Sequence, residues 1–104
     1  MFKISILYPN EAGKRFDMDY YATQHKELVV ERLKEFGLAG MTVDKGISGG
    51  APGSDAPFVC VGHLRMETME GYKAAMKAHG KALMADAPNY TDITPLVQIS
   101  EILR

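Results

Sequence analysis

The sequence predicts an α+β fold of the ferredoxin-like type, in which a four-stranded antiparallel sheet carries two helices on one face. Two observations predict this class. Four segments of strand-like composition and two segments of helical period follow one another as strand–helix–strand, twice. Two such units with right-handed crossovers give a βαββαβ topology and place both helices on the same face. At 104 residues, the chain is expected to form a single domain, residues 1–104.

The strand-like segments are short and are bounded by turn residues. Residues 3–8 alternate in polarity and include β-branched side chains, and Pro9 with Asn10 ends the segment. The stretch 49–57 is rich in glycine and proline and predicts a surface loop. The other predicted strands are 41–48, 58–66 and 95–103.

The first helix is predicted within residues 16–36, "FDMDYYATQHKELVVERLKEF". Asp17 is a favourable N-cap, Phe16 can pack on Tyr21 as a hydrophobic staple, and Gly37 tolerates the left-handed conformation that ends many helices. At about 100° per residue, one apolar stripe runs along this helix. Its members are Met18, Tyr21, Ala22, Leu28, Val29, Leu33 and Phe36. His25 falls in the middle of the stripe, so the helix directs an imidazole toward the interior.

The second helix is predicted from about residue 69 to residue 87. Thr68 can cap its start, and Pro88 ends it because the residue before a proline is driven out of helical geometry. Gly80 in its middle costs about 1 kcal/mol relative to alanine and therefore predicts close backbone packing there. Cys60, on the third strand, alternates with the helix-facing set and is expected to be an inert core residue.

The sheet face away from the helices has a mixed composition that is unusual for a solvent-facing surface. Apolar residues alternate there with polar ones; the set is Leu7, Val59, Val61, Ser5, His63 and Arg65. We expect this face to pack against a second subunit and to leave a partly polar interior between the two sheets. The sequence therefore predicts a homodimer.

Composition excludes several classes of partner and compartment. The chain is 46% apolar and 24% charged with a net charge of −1, and no basic face or run appears that would favour nucleic acid. No apolar run approaches the roughly 20 residues of a membrane span, and no segment has the pattern of an export signal. The single cysteine excludes an internal disulfide and suits a reducing cytoplasm.

Two segments of the chain resemble a known family. The segments "FDMDYYATQHKELV" and "APNYTDITPLVQISEI" are similar to the EthD family, named for ethyl tert-butyl ether degradation. The most specific parts are the pattern F-D-x-x-Y-Y-x-x-x-H-x-x-L-V and the turn P-N-Y-T-D before the last strand. The resemblance extends over essentially the whole chain.

The resemblance implies a fold and a biological setting. EthD proteins belong to the dimeric α+β barrel superfamily, in which two ferredoxin-like sheets form one shared barrel, and they are associated with oxidative degradation of organic compounds beside a cytochrome P450 system. Other members of the superfamily share only the fold: lactone isomerases, polyketide cyclases, cofactor-free quinone-forming monooxygenases and haem-degrading enzymes. Fold sharing alone does not transfer an activity.

His25 and Tyr21 are the predicted catalytic residues. His25 matches the histidine of the family's helix pattern, and Tyr21, one turn earlier, lies within reach of it. A neutral imidazole beside a phenol can accept a substrate proton or orient a hydroxyl. The alternative is structural: a buried histidine hydrogen-bonded to backbone or tyrosine, which ties the helix to the sheet.

Four further residues are predicted to bind substrate, each with a structural alternative. His63 and Arg65 point to the face opposite Cys60, where they would line the barrel interior or pair across the dimer. Tyr20 is expected to face outward or toward the subunit boundary. Arg32 lies within the stripe two turns beyond His25, and its alternative role is to cover apolar surface with its stem.

No metal or cofactor motif is present in the sequence. The three histidines are isolated, and no cysteine pair or carboxylate stands at ligand spacing. We therefore expect no cofactor, with haem as an alternative because one histidine suffices as an axial ligand. His79 is expected to be structural or exposed.

Two functions of different class follow. The first is a small dimeric barrel that binds an apolar or aromatic molecule and performs cofactor-free acid–base or oxidative chemistry, as an oxidoreductase, isomerase or cyclase, with His25 as the base. The second is a non-catalytic accessory or carrier protein that holds a hydrophobic intermediate for an oxygenase system. The sequence leaves both open, and the difference depends on whether His25 borders a cavity between helix and sheet.

Overall fold

The computed structural model describes all 104 residues, and its four strands form one antiparallel sheet. The strands are β1 (Phe2–Pro9), β2 (Leu38–Lys45), β3 (Phe58–Met66) and β4 (Leu96–Glu101). Their order across the sheet is β2-β3-β1-β4, so β1 and β3 are central. This is the predicted ferredoxin-like topology. β2 begins earlier than predicted because Leu38 already pairs with Met66.

Both helical regions pack on the same face of this sheet. The first runs through α1 (Met18–Tyr20), a π-helical turn (Tyr21–His25), α2 (Lys26–Leu33) and a 3-10 turn (Lys34–Phe36). The second consists of α3 (Met69–Ala85) and a 3-10 turn (Ala87–Asn89). No helix combines the length and apolar character needed to cross a membrane.

The start and end of the first helical region follow the predicted capping chemistry. The Asp17 carboxylate accepts a hydrogen bond from the Tyr20 amide at 3.1 Å, which satisfies one of the free donors of the first turn. The rings of Phe16 and Tyr21 pack edge to face with centroids 5.2 Å apart. Gly37 ends the region with φ of 91°, a conformation that glycine adopts without a Cβ penalty.

The π-helical turn is the feature of this region that periodicity does not predict. The Lys26 amide donates to the carbonyl oxygen of Tyr21, five residues earlier rather than four. The wider turn changes which side chains face inward: Ala22, a member of the predicted stripe, is exposed, whereas Tyr21 and His25 are buried. Their rings stack with centroids 5.1 Å apart and planes inclined by 15°. Turns of this kind occur frequently at functional sites.

The hydrophobic core lies between the two helical regions and the inner face of the sheet. Five of its side chains are the largest that are fully enclosed: Tyr21, Ile4, Leu33, Met66 and Cys60. Burial raises the pKa of the Cys60 thiol to about 12, so the sulfur stays protonated and unreactive at neutral pH. Cys60 is therefore the inert core residue that strand alternation predicts.

The second helix differs from its prediction at two positions. α3 ends at Ala85, and Asp86 is its C-cap, ahead of the turn that contains Pro88. Thr68 caps the start as predicted by accepting from the Gly71 amide at 3.0 Å. The expectation of close packing at Gly80 is wrong: a Cβ built there would meet only Met76, at 3.9 Å. Gly80 instead borders an open space inside the protein.

The outer face of the sheet carries the predicted mixture of polar and apolar residues. The register pairs Ser5 with His63 and Leu7 with Val61, and all four point away from the helices. β2 and β4 are the edge strands. β4 is weakly covered on both faces, since Leu96 on the outer face and Val97 on the inner face expose 59% and 57% of their surface.

Candidate functional site

A cavity of about 490 Å³ lies between the helices and the inner face of the sheet. It is bordered by residues of β1, β3, β4, the first helical region and α3. Twelve of its 15 lining residues are hydrophobic, and none is Asp, Glu, Lys or Arg. The side chains that carry polar atoms are His25, Tyr8, Tyr72 and Tyr90. An apolar pocket of this size with a few polar groups is the usual form of a small-molecule site.

His25 is the only histidine in this lining. Its side chain is buried and lies against two aromatic rings, Tyr21 on one side and Tyr90 at a centroid distance of 4.7 Å. Nδ1 lies 2.9 Å from a carboxylate oxygen of Asp86, which is the one hydrogen bond of the ring, so Nε2 has no hydrogen-bond partner in the protein. One ring nitrogen is therefore held, and the other is free for a molecule in the cavity.

Asp86 connects His25 to the surface through a network of hydrogen bonds. Its Oδ2 faces Nδ1 of His25, and its Oδ1 accepts from the Tyr20 hydroxyl at 2.7 Å and from the Asn89 amide at 2.9 Å. Burial opposes ionisation of this carboxyl, but the hydrogen bonds from Tyr20, Asn89 and His25 outweigh it and lower its pKa below the ordinary value. Asp86 is therefore a carboxylate, which only accepts hydrogen bonds.

The ionised state of Asp86 determines the proton position on His25. A carboxylate has no proton to donate, so Nδ1 must carry the hydrogen of the Nδ1–Oδ2 contact. In the neutral ring, Nε2 then holds a lone pair and is an acceptor. The same arrangement, in which a carboxylate orients an imidazole and stabilises its protonated form, supports general-base catalysis in hydrolases.

Tyr8 and Tyr90 supply further polar atoms at the cavity wall. Their hydroxyl oxygens lie 2.9 Å apart and share one hydrogen bond. Burial raises the pKa of both phenols well above the ordinary value, so both remain neutral. The bond between the two hydroxyls uses one of their two hydrogens.

Tyr21, predicted to be catalytic, lies beside the cavity but does not line it. Its side chain is fully buried, and its hydroxyl makes no hydrogen bond of good geometry, only a weak contact with the Tyr8 hydroxyl. Gly62 of β3 leaves the space that this hydroxyl occupies, because a Cβ at that position would collide with it. The structure thus gives Tyr21 contact with the His25 ring but no contact with the cavity.

The four residues predicted to bind substrate are dispersed. Tyr20 is half-buried and contacts Asp86, outside the cavity lining. Arg32 is exposed on α2 and lies away from the cavity. His63 and Arg65 lie on the outer face of the sheet, as predicted, and so on the opposite side from the cavity.

His63 is held in place by its own face of the sheet. Its Nδ1 lies 3.1 Å from the Ser5 hydroxyl, and its Nε2 lies 3.2 Å from a carboxylate oxygen of Asp44. Both ring nitrogens are therefore occupied by the protein. His79 packs its ring edge to face against Phe36, at a centroid distance of 5.7 Å, which matches its predicted structural role. No group of three or more potential metal-ligating side chains occurs.

Sequence reasoning missed the residues that surround His25. Asp86, Asn89 and Tyr90 lie about 60 residues further along the chain, and no local pattern connects them to the helix. One signal was present: Asp86 stands at the C-terminus of a helix, where the macrodipole is negative and a carboxylate is unfavourable. A residue placed against its local preference indicates a tertiary partner.

The two segments that carry the family resemblance meet at this site. The Asp17 amide donates to the Tyr90 carbonyl oxygen at 2.7 Å, and Phe16 and Thr91 form an isolated β-bridge. The Thr91 hydroxyl donates to the Arg15 carbonyl oxygen at 2.7 Å. The turn before β4 is thereby fixed to the start of the first helical region, and Tyr90 is fixed beside His25.

The sheet topology and the two helices on one face define a ferredoxin-like α+β protein. The EthD domain matches residues 11–94. The chain belongs to the EthD family, as its resemblance predicts.

Solved structures agree with this membership. The chain is 39% identical to an EthD-like protein from Ralstonia eutropha, with a TM-score of 0.94 over 99% of this chain and 92% of that chain. It is 23% identical to an EthD family protein from Bacillus halodurans, with a TM-score of 0.61 over 99% of each.

A third solved structure shares the fold alone. A dimeric ferredoxin-like protein from an uncultured marine organism has 11% identity and a TM-score of 0.62 over 100% of this chain and 96% of that chain. No curated protein matches the chain.

Proposed function

We propose that this protein binds a small apolar or aromatic organic molecule in the cavity beside His25 and that His25 acts there as a general base. The observation that carries the proposal is the contrast between the two nitrogens of the ring. Nδ1 is engaged by Asp86, whereas Nε2 has no protein partner and belongs to a residue that lines the cavity. His63, on the other face of the sheet, differs in having a polar protein atom within 3.2 Å of each ring nitrogen, the Ser5 hydroxyl and a carboxylate oxygen of Asp44.

The proposed chemistry is proton abstraction without a cofactor. A weakly acidic O–H or C–H group of the bound molecule transfers its proton to Nε2, and the imidazolium that forms is stabilised by the Asp86 carboxylate. The burial of His25 among apolar side chains lowers the local dielectric and strengthens this electrostatic interaction. The hydroxyls of Tyr8 and Tyr90 offer a hydrogen bond to the negative oxygen that remains. Isomerisation, cyclisation and oxidation by dioxygen all begin with such an anion.

The test compares two histidine variants on opposite faces of the sheet. Naphthalene and 2-naphthol serve as probes, and their effect on the melting temperature and their dissociation constants are measured. We expect His25→Leu to weaken the binding of 2-naphthol and His63→Leu to leave it unchanged. Equal binding by both variants and the wild type would remove His25 from the site. Failure of every naphthalene probe to bind would contradict the cavity itself.

A carrier role is the second candidate, and the composition of the lining favours it. Twelve of the 15 lining residues are hydrophobic, so binding depends chiefly on apolar burial. In this role the protein would hold an intermediate for an oxygenase system that degrades organic compounds. Mass spectrometry of a bound aromatic compound after aerobic incubation separates the two: a carrier returns it unchanged, whereas an enzyme converts it and loses this conversion in His25→Leu.

The same proposal includes a homodimer formed through the outer face of the sheet. The mixed surface around Leu7 and Val61 supports it, and one neighbour in fold is described as dimeric. We expect a dimer by light scattering at micromolar concentration and a monomer for Val61→Asp, with an unchanged circular dichroism spectrum. A wild-type monomer under these conditions would contradict this assembly.

A further inference from the structure

We propose that the cavity selects neutral aromatic molecules that donate a hydrogen bond, such as phenols, and that Asp86 is the positioning residue that sets this preference through the tautomer of His25. The inference rests on the proposed function, because it requires that the cavity binds an aromatic molecule. It goes further in naming the chemical class of that molecule and the group that is recognised.

The hydrogen bonds of the Asp86 side chain all run toward its carboxylate oxygens. The Tyr20 hydroxyl and the Asn89 amide both donate to Oδ1, and only Oδ2 faces Nδ1 of His25. Since the carboxylate accepts at both oxygens, the hydrogen of His25 is held on Nδ1. The cavity therefore meets a lone pair at Nε2 and not an N–H group.

The lone pair of Nε2 is complemented by a hydrogen-bond donor on the ligand. A hydroxyl of the ligand can donate to Nε2, whereas an ether or ketone oxygen would place its own lone pairs against it and leave both acceptors unpaired. Sites built to receive a hydrogen bond discriminate strongly against analogues that cannot make it, because the buried polar group is then left without a partner. The site therefore prefers a ligand that carries a hydrogen-bond donor.

The charges around the cavity disfavour an anionic ligand. No lysine or arginine lines the cavity, and the carboxylate of Asp86 lies directly behind the imidazole. A carboxylate ligand would lose its hydration without gaining a cation and would be repelled by Asp86. The cavity therefore favours a molecule that arrives neutral and gives up its proton only to His25.

The side chains and the volume of the cavity suit an aromatic ligand. The rings of Tyr8, Tyr72 and Tyr90 line the cavity. Tyr90 packs against His25, and Met76 lines the cavity from α3 one turn after Tyr72. Aromatic rings pack edge to face on such walls, and thioether sulfur makes favourable contacts with ring edges. A volume of about 490 Å³ accommodates a molecule of one to three rings.

The experiment uses three probes with one ring system: 2-naphthol, its methyl ether 2-methoxynaphthalene, and 2-naphthoate. Dissociation constants are measured by isothermal titration calorimetry with the intact chain at neutral pH. We expect 2-naphthol to bind at least about tenfold more tightly than the methyl ether and 2-naphthoate to bind most weakly. His25→Leu should bind the naphthol and the ether equally.

Asp86→Asn tests the positioning role by inverting the tautomer. Tyr20 and Asn89 require an acceptor on their side, so the carbonyl oxygen of the new asparagine would face them and its NH2 group would face Nδ1 of His25. The hydrogen of the ring then moves to Nε2, and we expect the ether to gain affinity relative to the naphthol. Asp92→Asn is the matched control, because Asp92 is exposed and does not line the cavity.

A second measurement keeps the inference testable if Asp86→Asn does not fold. Nitrogen NMR of the wild type distinguishes a protonated Nδ1 from a protonated Nε2, and we expect the proton of His25 on Nδ1. A proton on Nε2, equal affinity for naphthol and ether, or tightest binding of naphthoate would each overturn the inference while leaving the cavity as a binding site. Absence of binding by all three probes would instead overturn the proposed function as well.

Discussion

The buried hydroxyl of Tyr21 gives a quantitative test of how the helix packs on the sheet. This hydroxyl is fully buried with no hydrogen bond of good geometry, only a weak contact with the Tyr8 hydroxyl, and it occupies the space left by the missing side chain of Gly62. A Cβ at Gly62 would collide with the hydroxyl oxygen and would lie 3.3 Å from Cζ of the same ring. The two residues are therefore coupled, and the coupling passes through a single oxygen atom.

The single variants are expected to act in opposite directions. Gly62→Ala overpacks the core, which costs about 1–3 kcal/mol, and recovers about 0.5–1 kcal/mol of backbone entropy. The net result is a loss of up to about 2.5 kcal/mol, and each kcal/mol lowers the melting temperature by roughly 4–8 °C. Tyr21→Phe removes a hydroxyl whose burial costs up to about 1–3 kcal/mol, because its weak contact with Tyr8 compensates little of the lost hydration. We expect that variant to be at least as stable as the wild type.

The double variant measures the coupling. Because Tyr21→Phe removes the atom that Gly62→Ala would strike, the loss caused by the alanine should fall by about 1 kcal/mol in the phenylalanine background. Urea denaturation of all four proteins gives the free energies of unfolding. Tyr8→Phe is the control, since it removes a hydroxyl bonded to Tyr90 at 2.9 Å and should destabilise by about 0.5–1.5 kcal/mol.

Two results would refute this reasoning. Additive effects of the two substitutions would show that the hydroxyl of Tyr21 is not what limits the space at Gly62. A clear loss of stability in Tyr21→Phe would show that the hydroxyl makes a stabilising hydrogen bond. A catalytic role for Tyr21 would then require that this bond connect it to a residue of the cavity lining.

Three further predictions concern α3 and its C-cap. Gly80→Ala should raise the melting temperature, because alanine favours the helix by about 1 kcal/mol and its Cβ meets no close neighbour; a lower melting temperature would contradict the open space there. Thr68→Ala should lower the free energy of unfolding by about 1 kcal/mol through loss of the N-cap, and Thr68→Ser should restore it; equal losses in both would exclude the cap as the cause. Folding lowers the pKa of the Asp86 carboxyl from 3.8, so the unfolded chain binds a proton at Asp86 more readily than the folded chain does. The stabilisation that Asp86 gives at neutral pH is therefore lost as the pH falls below 3.8. Urea denaturation between pH 6 and pH 3 should therefore show a shallower loss for Asp86→Asn than for the wild type, and parallel curves would remove Asp86 from the network.

The elements of the fold were predictable because their signals are local. Asp17 and Thr68 cap helices with their own side chains, and Gly37 ends one through its own backbone freedom. The prediction of close packing at Gly80 is wrong for a related reason. The helix propensity of glycine is a local property, whereas the open space beside Gly80 belongs to a cavity formed by several elements. A single sequence shows that a residue is unfavourable for a helix but not what fills the space beside it.

The candidate site was predictable only in part. His25 was identifiable because an imidazole interrupts an otherwise apolar stripe. Its partner Asp86 was not, because the two are brought together by the docking of the turn before β4 on the start of the first helical region. The π-helical turn, which leaves Ala22 exposed although it belongs to the predicted stripe, is likewise absent from the periodicity of the sequence.

The sequence by itself determined the order of strands and helices, the helix caps, the inert burial of Cys60 and the membership of the EthD family. Each depends on neighbouring residues or on a pattern read along the chain. Only the tertiary structure decided which nitrogen of His25 is free, that Tyr21 stands outside the cavity, and that the cavity lies on the helix side of the sheet, away from His63. These properties depend on distances between residues about 60 positions apart, which are set by the packing of helices on the sheet and not by local preference.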